Sequence, residues 1–235
     1  MKVVILCGGF GTRLSEETSV KPKPMVKIGS KPILEHIINL YVKHGFKDFI
    51  LALGYKGYYI KKYFEKKKIK NINVTLVDTG RNTLTGGRLL RLKNFFKKNE
   101  NFMVTYGDGI SNQNLYQLKN FHLKNKKIAT MTVVRPPVRF GEVKLNGNLI
   151  TSFQEKPQSS KLWINGGFFV FNSKIFDFIK NDKTMLEVEP MQKLRKKKEI
   201  YAYKHNGFWQ CMDTLREKKY LNDLYKLNKI NWLIK

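Results

Sequence analysis

Residues 2–25 read KVVILCGGFGTRLSEETSVKPKPM. The apolar β-branched run Val3-Val4-Ile5-Leu6 is a short buried strand bounded by glycine. It runs into a loop with almost no side chains. Gly8, Gly9 and Gly11 can take positive φ and turn N–H groups toward an anion. Arg13 adds a planar fork suited to phosphate oxygens. Pro22 and Pro24 stiffen the next segment, so Lys21 and Lys23 project to opposite sides and one can face the anion. For Lys21, a plain surface position is an equal reading. The loop is not a P-loop, because no Gly-Lys-Ser/Thr opens a helix. Nor is it a dinucleotide fingerprint, because Leu14 stands where a third spaced glycine belongs.

Outward from this stretch the rhythm is strand, helix, strand. KPILEHIINLYVKHG has apolar positions at 33, 34, 37, 38, 41 and 42, which is helical spacing closed by Gly45. FKDFILALG, NVTLVDTG, NFMVTYGDG and KIATMTVV read as further strands. YYIKKYFEKKK, GGRLLRLKNFFKK (86–98) and NLYQLKNFHLKN read as helices between them. Alternation of this kind predicts an α/β chain with a mostly parallel sheet, helices on both faces, and a ligand at the carboxyl ends of the strands. After about residue 135 the pattern changes. A hairpin is expected over 140–157, turned at Asn146-Gly147-Asn148, then a strand at 163–172, short helices near 175–179 and 187–197, and a last helix over 215–227. No linker or repeat divides the chain. One unit over 1–235 is expected, with 1–134 binding nucleotide and 135–235 forming a small β subregion for a second substrate.

The 235 residues are 42% hydrophobic, enough for a sizeable core. The two cysteines exclude a disulfide framework and a cysteine zinc site. No run approaches the roughly 20 apolar residues of a bilayer span, and no leader pattern stands at the N-terminus, so a cytoplasmic protein with no membrane partner is expected. The net charge is +27. Its lysines are spread along the whole chain without a recognition motif, so nucleic acid is not expected as a partner; the charge instead favours an anionic small molecule. Asp108 in TYGDG and Asp213 in WQCMDT each end an apolar strand. Such an aspartate is a turn or cap residue or a metal ligand. Asp78 reads as a turn residue.

GGFGTRL…KPKPM resembles the N-terminal signature of the sugar-1-phosphate nucleotidyltransferases. KPILEHII, GYKGYYIKKYF, VTLVDTG, TGGRL, TYGDG, SFQEKP, WINGGFFVF and GFWQCMDTLREKKYL extend the resemblance over essentially the whole chain, toward the branch that uses CTP and glucose 1-phosphate. The resemblance implies a Rossmann-like nucleotidyltransferase fold and the reaction of CTP with α-D-glucose 1-phosphate to CDP-glucose and pyrophosphate, as used in lipopolysaccharide and O-antigen synthesis. It also implies Mg²⁺ as cofactor and a homo-oligomer. Sister enzymes using UTP, dTTP or GTP, and a catalytically silent nucleotide-binding regulator, are the alternatives.

The resemblance further implies roles for single residues. Leu6, Cys7, Gly8, Gly9 and Phe10 lie along the nucleotide, and Gly11, Thr12 and Arg13 hold its phosphates. Arg13 stabilises charge at the α-phosphate and pyrophosphate, and Lys23 is the phosphate contact of the lysine pair. Thr83, Arg88 and Gly107 complete the nucleotide side, although a helix-surface arginine is the other reading of Arg88. Asp108 and Asp213 are the two metal ligands. Lys156 takes the sugar phosphate, Glu155 accepts from sugar hydroxyls, and Asn165 and Gly166 lie near the same sugar. Trp163 and Trp209 read as core or pocket wall. Two departures stand out: only Glu65 to Asn73 fills a segment that is longer in close relatives, and Cys211 replaces a usual proline.

Overall fold

A computed structural model of the chain describes residues 1–67, 69, 71–136, 141–154, 162–230 and 232. Seven strands form one sheet: β1 (Val3–Leu6), β2 (Asp48–Leu53), β3 (Asn73–Asp78), β4 (Asn101–Tyr106), β5 (Ala129–Val134), β6 (Ile164–Asn172) and β7 (Ile200–His205). Their spatial order is β7-β5-β6-β4-β1-β2-β3. β1 pairs in parallel with β2 and β4, and β2 with β3. β6 alone runs against the others, antiparallel to both β4 and β5, while β7 is parallel to β5. The expected α/β architecture is therefore present, with strands from the second half of the chain completing the sheet.

Both faces of β1 are buried, which is why it reads as a continuous apolar run rather than an alternating one. Successive side chains point to opposite faces. Val3 and Ile5 join one core with Ile33, Leu34, Ile37, Ile38 and Tyr41 of the helix α1 (Ile33–Lys43). Val4 and Leu6 join a second core with Phe102, Val104, Phe169 and Phe171. α1 ends as its sequence predicts. Gly45 has φ 81° and donates to the Val42 carbonyl at 2.9 Å, and the Phe46 N–H reaches Tyr41 at 3.1 Å. Beyond a single α-helical turn at Ser15–Thr18, the further helices are α2 (Gly57–Lys66), α3 (Thr85–Leu90), α4 (Leu115–Asn125), α5 (Glu189–Lys196) and α6 (Leu215–Lys226).

The helix expected over 86–98 stops at Leu90, and Lys93–Phe95 is only a 3-10 turn. Phe96 then turns inward, its ring 4.0 Å from that of Phe102. Stacking in the core outweighs helical continuation there. The expected helix near 175–179 is likewise a 3-10 turn, Ser173–Phe178. The hairpin is present as Glu142–Asn146 paired with Leu149–Gln154, turned at Gly147 with φ 58°.

α3 begins against backbone rather than side chains. A Cβ on Gly87 would lie 2.4 Å from the Asp182 Cα, and one on Gly86 would lie 2.8 Å from the Thr184 carbonyl oxygen. The 182–184 carbonyls in turn cap this helix, accepting from Leu84 N–H at 2.8 Å and Gly86 N–H at 3.0 Å. Gly87→Ala is expected to lower stability by about 1–3 kcal/mol, because two backbones must separate. Gly9→Ala, with nothing within 4 Å of its Cβ, should leave the urea midpoint unchanged. Chemical denaturation of both variants checks the contrast.

His122 on α4 is 2% exposed and bonds Thr130 Oγ1 at 2.9 Å. Burial pushes its pKa down from 6.5 to about 4. The folded chain thus keeps the ring neutral while the unfolded chain protonates it. Stability from this group is complete above pH 6.5 and is lost as pH falls toward about 4. Denaturation of His122→Asn at pH 7 and pH 4.5 should show a smaller pH dependence than wild type.

Candidate active site

β1 is where the strand order reverses. The chain goes from β1 to β2 on one side and later enters β4 on the other, so the loops leaving β1 and β4 diverge and open a crevice. Leu6 and Tyr106 are in register at its floor. A cavity of about 520 Å³ occupies this position. Every nucleotide-side residue expected from the sequence borders it, as do Asn165 and Gly166. Glu155 and Lys156 lie outside the described residues.

The glycine loop is held from below by Arg88, which is 4% exposed. Its Nη2 donates to the Gly8 carbonyl at 2.8 Å and to Arg81 at 3.2 Å. Its Nη1 donates to Gly80 at 2.7 Å, Thr79 Oγ1 at 2.9 Å and Leu53 at 3.1 Å. One guanidinium therefore ties the ends of β1, β2 and β3 together. Burial lowers its pKa, with the charge of Asp78 opposing. The lack of space at Gly8 has the same origin: a Cβ there would fall 2.1 Å from Arg88 Nη1. Gly11, at φ 68°, starts the turn Thr12–Leu14. That turn carries Arg13 outward, with its side chain 73% exposed and Nη1 2.6 Å from Asp213 Oδ2.

The two lysines separate because the chain leaves extended geometry at Pro22 and Lys23 opens the 3-10 turn Lys23–Met25. Lys21 pairs with Glu17 at 3.0 Å, away from the cavity lining. Lys23 is 6% exposed and faces the site. Its ammonium lies 2.9 Å from Asp108 Oδ2 and also bonds Asp213 Oδ1. Burial disfavours its charge, but the Asp108 and Asp213 carboxylates outweigh this and raise its pKa. Asp108 and Asp213 meet because Gly109–Ser111 and Trp209–Cys211 pair as an antiparallel ribbon outside the main sheet. The Met212 N–H closes it on the Asp108 carbonyl at 2.9 Å.

Asp213 is not the cap of α6. Thr214 is, in a capping box with Glu217. Glu217 also accepts from the Asp213 N–H at 2.7 Å. The Asp213 carboxylate is thereby left to face Lys23 and Arg13. Cys211 lies beside it, its thiol pushed up to about 12 by burial and by the charges of Glu217 and Asp213. Cys211, Asp213 and Glu217 could also hold a metal ion, their ligand atoms lying within 4.8 Å of one another. The donor set fits magnesium better through the two aspartates. They supply hard oxygens at a cavity edge, and a magnesium ion prefers one or two carboxylates, phosphate oxygens and water.

On the opposite wall, β6 has a register irregularity between Asn165 and Phe169. Gly167 adopts φ 77°, where a Cβ would meet the Tyr106 ring at 2.7 Å. This bulge turns Asn165 into the cavity lining, its Oδ1 accepting from Gly167 N–H at 2.8 Å. Trp209 donates to the Gly166 carbonyl at 2.7 Å, so it is wall with one polar anchor. Tyr106, Thr85 and Glu187 were not singled out from the sequence. Tyr106 and Thr85 stand inside the quoted motifs TYGDG and TGGRL, and Glu187 is one of only 18 acids in the chain.

A sequence profile of the nucleotidyl transferase family matches residues 2–220. The chain belongs to this family. Glucose-1-phosphate cytidylyltransferase of Salmonella typhimurium is 48% identical over 253 aligned positions, covering 99% of this chain and 98% of the relative. The alignment is longer than the 235 residues, so that relative carries additional sequence, in line with a shortened segment here. Among solved structures, HddC from Yersinia pseudotuberculosis superposes with a TM-score of 0.75 at 24% identity, covering 95% of this chain and 99% of that one. UDP-glucose pyrophosphorylase in complex with UDP-glucose gives a TM-score of 0.76 at 18% identity, covering 97% and 98%. At these identities the two structures establish the nucleotidyltransferase fold.

Proposed function

We propose that the chain transfers a cytidylyl group from CTP to α-D-glucose 1-phosphate, releasing CDP-glucose and pyrophosphate. The observation that carries this reading is near-complete alignment at 48% identity with a glucose-1-phosphate cytidylyltransferase. The cavity supports the chemistry independently. It joins a glycine loop, the cations Arg13, Lys23 and Arg88, and two carboxylates at one crevice.

A phosphate oxygen of the sugar phosphate attacks the α-phosphorus of CTP, and the bond to the pyrophosphate oxygen breaks. The attacking oxygen is already ionised, so no proton must be removed and no protein nucleophile is required. The demand on the protein is to align two anions and offset their repulsion. Glycine-loop N–H groups and Arg13 would hold the nucleotide phosphates. Lys23 remains cationic at neutral pH, so its charge is available to the α-phosphate. Asp108 and Asp213 would hold a magnesium ion, which when bound would supply charge neutralisation to the phosphates. Lys156 and Glu155 would take the sugar phosphate and its hydroxyls, as the family resemblance implies, and Asn165 would contact the same sugar. A cytoplasmic location, self-association and a place in surface-polysaccharide synthesis belong to the same reading.

Pyrophosphate release from glucose 1-phosphate and Mg²⁺, measured side by side with CTP, UTP, dTTP, GTP and ATP, tests it. Preference for CTP that disappears on chelation is expected. Preference for another nucleotide would keep the mechanism and overturn the base assignment. Nucleotide binding without turnover would favour a silent regulator.

A further inference from the structure

Glu187 lies between the two halves of the site. Its Oε2 accepts from Thr85 Oγ1 at 2.6 Å, on the lip that follows Thr83, and its Oε1 accepts from the Tyr106 hydroxyl. The Tyr106 oxygen is in turn 3.4 Å from Asn165 Nδ2. Thr85 itself is fixed by the Leu186 N–H at 3.0 Å. Among the described residues, the two oxygens of Glu187 meet hydroxyl donors rather than a cation, so its role is to be sought in those hydrogen bonds.

The direction of the hydrogen bonds supplies one. A carboxylate only accepts, so the Tyr106 hydroxyl must donate to Glu187. The Tyr106 lone pairs then face Asn165, whose Nδ2 must be the donor. Asn165 Oδ1 is occupied by the Gly167 N–H. The amide is thus locked in one of its two flips, and its second Nδ2 hydrogen is left for an acceptor in the cavity. The Tyr106 ring is held by Gly167 and stands edge-on to Phe169 at 5.8 Å, so the hydroxyl has little freedom to reorient.

We propose that Glu187 is a positioning residue that sets the donor orientation of Asn165 through Tyr106, and thereby governs recognition of the hydroxylated sugar phosphate rather than of the nucleotide. The inference rests on the sugar nucleotidyltransferase reading above. The same carboxylate anchors the nucleotide lip through Thr85, but that bond is made to a side chain already fixed by backbone.

Steady-state kinetics on Tyr106→Phe, Glu187→Gln, Asn165→Ala and the Tyr106→Phe/Asn165→Ala pair test this, with KM for glucose 1-phosphate and for CTP determined separately. Tyr106→Phe keeps the ring packing and is the decisive variant if Glu187→Gln folds poorly. It should raise the sugar-phosphate KM about tenfold, the loss of one oriented hydrogen bond, with the CTP KM unchanged. In the Asn165→Ala background it should have no further effect, because its influence passes through that amide. Equal shifts in both KM values, or additivity of the two substitutions, would overturn the inference. Normal turnover by wild type with an unchanged sugar-phosphate KM in Tyr106→Phe would sink this inference alone. Absence of turnover in wild type would remove the parent reading and this one together.

Discussion

Asp108→Asn and Asp213→Asn are each expected to lower kcat by about 10³-fold, or about 4 kcal/mol of transition-state stabilisation, while the fold survives. The asparagine side chains are isosteric with the aspartates, so packing at the ribbon is kept. The carboxylate charge that would hold the metal is lost. Asp213 has the more connected position, since both Lys23 and Arg13 converge on it. Its substitution leaves Lys23 with a single carboxylate partner. Circular dichroism and a thermal scan should match wild type, while Mn²⁺ binding followed by electron paramagnetic resonance should weaken. Near-normal turnover in either variant would remove the metal assignment.

Arg88→Met is expected to destabilise the chain by about 3 kcal/mol, which for a chain of this size corresponds to about 10 °C in Tm. The estimate combines two opposed effects. Removing a buried guanidinium relieves its desolvation, but it also removes five hydrogen bonds, to four backbone carbonyls and the Thr79 hydroxyl. Leu53 keeps the Thr79 N–H and hydroxyl and Gly8 keeps the Tyr55 N–H, so the loss falls mainly on Gly80 and Arg81. Hydrogen bonds to a charged group contribute about 1.5–3 kcal/mol each, so the lost bonds outweigh the relieved desolvation. Arg88→Lys should recover little, because three ammonium donors cannot serve five acceptors held in a planar fan. The nucleotide KM should rise with the loss of stability, since the Gly8 carbonyl is one of the anchors of the loop. Differential scanning calorimetry with and without CTP reads both effects. A Tm equal to wild type would show that the arginine is not the clamp of the loop.

Arg88 illustrates what a linear reading can and cannot reach. Its motif, TLTGGRL, marked the position, and either a substrate contact or a helix-surface arginine was compatible with it. Neither reading contains the five acceptors, because these come from Gly8, Leu53, Thr79, Gly80 and Arg81, on the ends of three strands. Glu187 was invisible for a similar reason. Its partners, Thr85 and Tyr106, are far away in the chain, and a glutamate two residues before Glu189, ahead of a lysine-rich helix, looks like a solvated charge.

Local patterns sufficed where the forces are local. The β-branched run of β1, the 3.6-residue periodicity of α1 and the φ 81° demanded of Gly45 each follow from neighbours in the chain. Alternation of such elements determined the α/β class, and strand-end glycines with nearby cations determined that an anion belongs at the crevice. The lengths of the helices after Thr85 and Ser173 were decided by tertiary contact instead, since ring stacking and backbone docking compete with helical hydrogen bonds. The meeting of Asp108 with Asp213 was decided in the same way, by a ribbon between segments remote in sequence. The freedom of Asp213 from capping is local by contrast, since the Thr214-x-x-Glu217 capping box stands beside it in the chain. Sequence by itself determined which chemical groups stand at the strand ends. Only the folded sheet decided which of them share a proton, a carbonyl or a charge, because hydrogen bonds and ion pairs depend on distances that close when the chain does.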